Sequence, residues 1–132
     1  MDYSELISRA IVAREKAYVP YSNFKVGAAL ITEDNKIYTG CNIENASYGA
    51  TNCAERTAIF KAVSDGPIKI KAIAIVGDPE DYTAPCGICR QVILEFASEN
   101  IEIILAKNAK DYVVKTMGEI LPGGFTKNNL LK

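Results

Sequence analysis

Between Lys36 and Ala106 the sequence alternates strand-like and helix-like patterning, and no other feature restricts its folds so sharply. Lys36–Cys41 reads as a strand, and Cys53–Ser64 sets Ala54, Ala58, Ile59, Ala62 and Val63 at helical spacing. Ile70–Gly77 is a short apolar run, Gly87–Ala97 carries Ile88, Val92, Ile93 and Phe96 on a helical stripe, and Ile101–Ala106 is again a strand. This order predicts an α/β fold with two consecutive crossover connections, which share one handedness in the great majority of folds. If the sheet grows in one direction, both helices lie on the same face. Both then start at the carboxyl edge of parallel strands, where open α/β sheets bind their ligands. Two helix starts far apart in sequence become neighbours in space.

The flanking segments read as support. Ser4–Tyr18 carries Leu6, Ile7, Ala10, Ile11, Ala13 and Ala17 at helical spacing, with Asp2 and Glu5 placed as a capping box and Pro20 as the stop. Lys25–Thr32 is a buried strand that turns at Glu33-Asp34-Asn35 into Lys36–Cys41, forming a hairpin. Asn42–Gly49 is polar and aperiodic and therefore a loop, as is Asp78–Pro85 with its two prolines. Tyr112–Thr116 is a weaker strand, followed by a short turn of helix, Pro122-Gly123-Gly124 and a tail. At 132 residues, with no repeat, linker or low-complexity tract, residues 1–132 are expected to form one domain.

Charge and composition remove whole classes of function. A net charge of -1 with scattered basic residues offers no cationic face to a nucleic-acid backbone. No apolar run approaches the roughly 20 residues that span a bilayer. Met1-Asp2-Tyr3-Ser4-Glu5 lacks the basic-then-apolar layout of a signal peptide. The expected compartment is a reducing cytoplasm, where cysteines serve as ligands or nucleophiles more often than as disulfides. The chain has no histidine, which removes the Ser-His-Asp and Cys-His triads and every imidazole metal site.

What remains is cysteine and carboxylate chemistry at the two helix starts, Thr51-Asn52-Cys53-Ala54-Glu55-Arg56 and Pro85-Cys86-Gly87-Ile88-Cys89-Arg90. Cys86 and Cys89, spaced i and i+3, face the same side of a first helical turn, and Cys53 arrives from the adjacent helix start. The positive end of a helix dipole favours the thiolates that bind metal. Sulfur donors select zinc or an iron–sulfur cluster, and clusters normally take four cysteines. Three cysteines with an open fourth position mark a catalytic zinc site, and four mark a structural one. Cys41 is the one residue that could close the site; its alternation with Ile37 and Thr39 reads as a core cysteine, and the four-cysteine structural site stays open as the alternative. Glu55 has no role in a structural zinc knuckle. For it and Cys53 to address one metal, Cys53 must sit at the non-helical start of its helix. Arg56 and Arg90 are candidates to hydrogen-bond the sulfurs and offset the charge of three thiolates, against a reading of each as a surface ion pair.

Cys-Ala-Glu-Arg followed by Pro-Cys-Gly-Ile-Cys-Arg resembles the small, homotetrameric zinc-dependent cytidine deaminases. The resemblance extends over Tyr21–Ala29, Gly40–Tyr48 and Leu121-Pro122-Gly123-Gly124-Phe125, nearly the whole chain. It implies a three-layer α/β/α sandwich around a mixed sheet of about five strands, and one zinc per subunit. It implies hydrolytic deamination of cytidine and 2'-deoxycytidine at C4, with Glu55 taking a proton from water, delivering it to N3 and helping ammonia leave. Residues matching Asn42 and Glu44 hold the ribose hydroxyls, Phe24 packs beside the nucleoside, Ala54 belongs to the substrate site, and Tyr48 and Phe125 reach sites across subunit boundaries, Phe125 stacking on the base. The residues alone allow plainer roles: a loop-capping Asn42, a solvated Glu44, a core Phe24 and a packing anchor at Phe125. Three rivals remain: a blasticidin-S-type aminohydrolase with the same metal motifs, a non-enzymatic zinc module that would recruit Cys41, and a thioredoxin-like use of Cys86 and Cys89 that leaves Cys53 and Glu55 without a part.

Overall fold

The computed structural model describes residues 2–131. Its frame is one five-stranded sheet of β1 (Gly27–Thr32), β2 (Ile37–Cys41), β3 (Ile70–Val76), β4 (Glu102–Asn108) and β5 (Asp111–Thr116), in the order β2-β1-β3-β4-β5. β3 and β4 pair in parallel; the other neighbours pair antiparallel. β2 and β3 therefore run the same way with β1 between them, and both crossovers advance toward the same side of the sheet. The first crossover carries α2 (Ala54–Ser64) and the second α3 (Gly87–Glu95).

Alternation along each strand sorts the core into two layers. Leu30, Ile73, Ile75, Ile103 and Leu105 meet Ala58 and Ile59 of α2 and Ile93 of α3 on one face. Ala29, Ala72, Ala74, Ile104 and Ala106 meet Leu6, Ile7 and Ala10 of α1 (Tyr3–Arg14) on the other. The result is the expected α/β/α sandwich around a mixed five-stranded sheet. Small residues line the α1 face because that helix comes very close: a Cβ at Gly27 would lie 2.0 Å from the Ala10 carbonyl oxygen. α2 sits as tightly on β2, where a Cβ at Gly40 would lie 2.5 Å from the Ala58 nitrogen. Among the described residues no helix is long and apolar enough to cross a membrane.

Several local expectations are corrected. α1 ends at Arg14 rather than Tyr18, because Tyr18 runs extended, donating to the Asn42 carbonyl at 3.0 Å and accepting from the Glu44 N–H at 2.8 Å. Asp2 caps α1 by accepting from Ser4 N–H, while Glu5 turns to Arg9 (3.9 Å) instead of completing a capping box. Val63 and Ile88 lie outside the core, at 36% and 62% exposure. In α3 the buried positions are Cys89, Ile93 and Leu94, so the sulfur sets the rotation of the helix and carries Ile88 outward. The Asn42–Gly49 loop contains more order than its composition suggests. Ile43 bridges both Tyr18 and Asn52, and a 3-10 turn spans Tyr48–Ala50. The tail carries α4 (Met117–Ile120) and a second short helix, α5 (Lys127–Leu130).

Candidate metal centre and active site

α2 and α3 open at one sheet edge, just beyond Cys41 and Val76, which pair with Gly27 from its two sides. Each helix is preceded by a cysteine in extended backbone at the N-cap: Cys53 at φ −79°, ψ 158° and Cys86 at φ −67°, ψ 170°. Neither side chain caps its helix by a hydrogen bond. An N-cap side chain lies over the residue three positions on, as in a capping box. On α3 this pairs Cys86 with Cys89. On α2 it pairs Cys53 with Arg56, whose Nη2 donates to Cys53 Sγ at 3.3 Å.

The three sulfurs of Cys53, Cys86 and Cys89 lie within 4.8 Å of one another, with Cys53 and Cys86 at 3.7 Å. Tetrahedral zinc with Zn–S bonds of about 2.3 Å separates its sulfurs by about 3.8 Å. The trio stands at that spacing or within a small adjustment of it. Its ionisation points the same way. Cys53 is drawn down to about 5, chiefly by the hydrogen bond from Cys89 and next among the lowering influences by Arg56. Cys89, donating to that thiolate from a buried position, is pushed up. The Cys53 thiolate suppresses ionisation of Cys89, and a divalent cation bound by both would relieve that competition. Among the described residues no other Cys, His, Asp or Glu joins the group, so three protein donors leave one tetrahedral position open. The residues fit zinc. Cys41 stays outside: it shares a strand face with Ile37, which packs in the α1 layer, opposite the layer that carries α2 and α3.

Glu55 is 4% exposed in the first turn of α2. Burial pushes its carboxyl up to about 7; the Cys53 thiolate adds to the rise, and hydrogen bonds from its own backbone N–H and from Cys89 pull back. The extended backbone at Cys53 is what lets residues two apart address one place. Sequence reasoning missed the bracket that holds this turn. Thr57 Oγ1 sits between the Cys41 and Cys53 carbonyls at 2.9 and 3.2 Å and accepts from Asn52 Nδ2 at 3.1 Å. Only the adjacency of Asn52 and Thr57 to the Cys-Ala-Glu-Arg run hinted at it.

Arg56 stands where expected, its remaining Nε buried without a partner. Arg90 does not. Its Nε donates to the Pro85 carbonyl at 2.8 Å and its Nη1 to the Ile120 carbonyl at 2.7 Å, so its charge is spent on backbone rather than on sulfur. Asn42 binds the chain before β1, accepting from Val26 N–H at 2.9 Å and donating to the Phe24 carbonyl at 2.8 Å. Glu44 accepts from the Tyr21 and Ser22 N–H groups at 3.0 and 3.1 Å and from the Ser22 hydroxyl. Phe24 is 43% exposed, and Ala54 is fully buried. Tyr48 and Phe125 are 77% and 57% exposed. Tyr48 meets Tyr21 edge to face at 6.2 Å. A shallow groove of about 360 Å³ is lined by Tyr21, Ser22, Glu44, Tyr48 and Thr51 and includes none of the sulfurs.

The family model described as "Cytidine and deoxycytidylate deaminase zinc-binding region" matches residues 1–105. The chain is 54% identical to the cytidine deaminase of Sporosarcina psychrophila over 98% of its own length and 96% of that protein's. A crystal structure of cytidine deaminase from Burkholderia pseudomallei matches with a TM-score of 0.88 at 52% identity, covering 95% of this chain and 100% of that one. Blasticidin-S deaminase of Bacillus cereus is more distant, at 33% identity over 89% of each chain. Three sulfurs at zinc spacing beside a buried carboxylate, within a match that runs from α1 into β4, place the chain in the cytidine and deoxycytidylate deaminase zinc-binding family.

Proposed function

We infer that this chain hydrolyses the C4 amino group of cytidine and 2'-deoxycytidine, giving the uracil nucleosides and ammonia. The observation that carries this reading is a carboxylate only 4% exposed, two residues from the first cysteine of a sulfur trio at zinc spacing. Cys53, Cys86 and Cys89 hold the metal, and Arg56 offsets part of their charge through Cys53. Zinc, when bound, supplies the Lewis acidity that lowers the pKa of water toward neutrality. Glu55 does the proton work, for which a group balanced near neutral pH is best suited. Water adds at C4 while Glu55 takes one of its protons and passes it to N3. Glu55 then carries the second proton to the amino nitrogen, the C4–N bond breaks, and ammonia leaves a C4 carbonyl behind.

Asn42 and Glu44 face the ribose, and Phe24 packs at its side. Asn42 and Glu44 retain acceptor or donor capacity beyond the backbone bonds they make. A carboxylate at this place suits a diol and repels a 5'-phosphate, so the nucleoside is preferred to its monophosphate. Tyr48 and Phe125 are offered to a neighbouring subunit's site in a homotetramer. Their exposure, with that of Ile88 at 62%, leaves apolar surface that a second copy would cover. One catalytic domain over residues 1–132, with one continuous sheet, acts in the cytoplasm in pyrimidine salvage.

The test is ammonia release from cytidine, deoxycytidine and blasticidin S, with zinc measured before and after chelation and native mass recorded. One zinc per chain, turnover of both nucleosides that vanishes on chelation and returns with zinc, and a tetramer mass are expected. Turnover of the antibiotic alone points to the rival aminohydrolase, and zinc without any turnover removes the enzymatic reading.

A further inference from the structure

We propose that Arg90 is a positioning residue that locks the metal-bearing turn and the 121–125 segment into one unit, coupling occupancy of the metal centre to the placement of Phe125. This deepens the reading above, since it rests on Cys86 and Cys89 holding zinc and on Phe125 serving a substrate site.

One guanidinium reaches two backbone carbonyls that belong to different parts of the chain. The Pro85 carbonyl, 2.8 Å from Nε, belongs to the buried residue immediately before Cys86. The Ile120 carbonyl, 2.7 Å from Nη1, closes α4, where carbonyls have no partner within the helix. A planar guanidinium holds its donors at fixed angles, so two bonds from one plane set the two carbonyls relative to each other. The next residue continues the grip: Gln91 Nε2 donates to the Phe125 carbonyl at 2.5 Å. One turn further on, Leu94 packs so closely on Gly124 that a Cβ there would lie 2.3 Å from Leu94 Cδ2. α3 thus carries two metal donors at its start and holds the tail with Arg90, Gln91 and Leu94. A turn that loses its metal is released at Pro85, and Arg90 passes the change to Ile120 and the residues beyond it. By linkage, the effect runs both ways.

The chain contains no tryptophan, so Phe125→Trp introduces a single reporter in the segment. Its anisotropy and quenching are compared in zinc-loaded and chelated protein, with and without Arg90→Ala. With Arg90 present, chelation should mobilise the reporter. With Arg90→Ala it should be mobile even with zinc bound and should respond little to chelation, and zinc should be lost to a chelator roughly tenfold more readily. Arg90→Lys, which can satisfy one carbonyl but not both in a fixed plane, should fall between the two, and it carries the test if Arg90→Ala does not fold. Lys61→Ala, which removes a 2.5 Å bond to the Thr39 carbonyl from α2 to β2, should leave the reporter unchanged. Equal mobility and an equal response to chelation with and without Arg90→Ala would overturn the proposal. If the protein takes up no zinc, the metal reading fails by itself. Arg90 is then judged on the metal-free protein, where equal mobility of the reporter in the two forms overturns its role.

Discussion

Glu55 and Glu44 flank the same sheet edge and are treated in opposite ways by the fold. Glu55 is buried, and desolvation lifts its carboxyl to about 7. Glu44 is only partly covered, and the Ser22 hydroxyl together with the Ser22 and Tyr21 amides holds it below the ordinary carboxylate range. In the proposed reaction the carboxylate that takes and returns protons is kept dry, its burial outweighing its donors. A carboxylate that must stay charged is surrounded by them. The same division separates the regions they serve. The floor of the site, with its three sulfurs, is assembled from two helix starts of one chain, where Cys89 and Glu55 are buried and Cys53 is partly covered. The rim, with Tyr48 and Phe125, is an exposed aromatic surface. On the proposed reading, proton chemistry uses fixed, desolvated geometry, whereas recognition would draw on surface that a neighbouring copy completes.

This contrast can be broken at several points. The largest effect is expected for Glu55→Gln: kcat falls on the order of 10²–10⁴-fold while KM and zinc content hold. Steady-state kinetics with metal analysis measures it, and a kcat within a few-fold of wild type would move proton transfer to another group. The same substitution removes a carboxylate from apolar surroundings, so the metal-free protein should melt higher than the metal-free wild type. Glu44→Gln should do the reverse kinetically, raising KM for cytidine roughly 10- to 100-fold with kcat little changed, because a charged acceptor at the rim is lost. If instead kcat collapses and KM holds, the two carboxylates do not divide the work as described. Phe125→Ala is smaller, roughly a three- to tenfold rise in KM, the size of one aromatic stack. Unaltered KM and kcat would remove Phe125 from recognition.

The smallest effect concerns pH. The folded value of Glu44 lies below its unfolded value of 4.5, so its stabilisation is present above that pH and is lost as pH falls through the lowered folded value. Glu44→Gln should therefore melt slightly below wild type at neutral pH, with the difference closing in acid. A difference that persists unchanged into acid would show that charge on Glu44 does not hold the Tyr21–Ser22 turn.

The metal centre was legible because its signals are local. Cysteines at i and i+3 fix a shared side of a helical turn, and the strand–helix alternation brings Cys53 to them. The need for Cys53 and Glu55 to face one place already implied an extended Cys53, and its ψ of 158° meets that requirement. Arg90 was not legible in the same way. Its partners are carbonyls, which every residue possesses, so no residue type announces them. Nor was Ile88: an apolar side chain on a short helix does not reveal which side the helix turns inward when a sulfur decides it. α1 offers the same lesson at Tyr18, where helix-compatible residues give way to pairing with a loop from elsewhere in the chain.

The amino-acid sequence by itself determined the donor set, the carboxylate beside it, the absence of imidazole and the order of strands and helices, because identity and periodicity are carried by neighbouring residues. Only the tertiary structure decided that β1 lies between β2 and β3, that Cys41 turns to the opposite layer, that Glu55 is dry and Glu44 well solvated by amides, and that Arg90 holds backbone instead of sulfur. Those outcomes depend on burial and on hydrogen-bond partners supplied by distant segments, and a group acquires them only when the chain has packed.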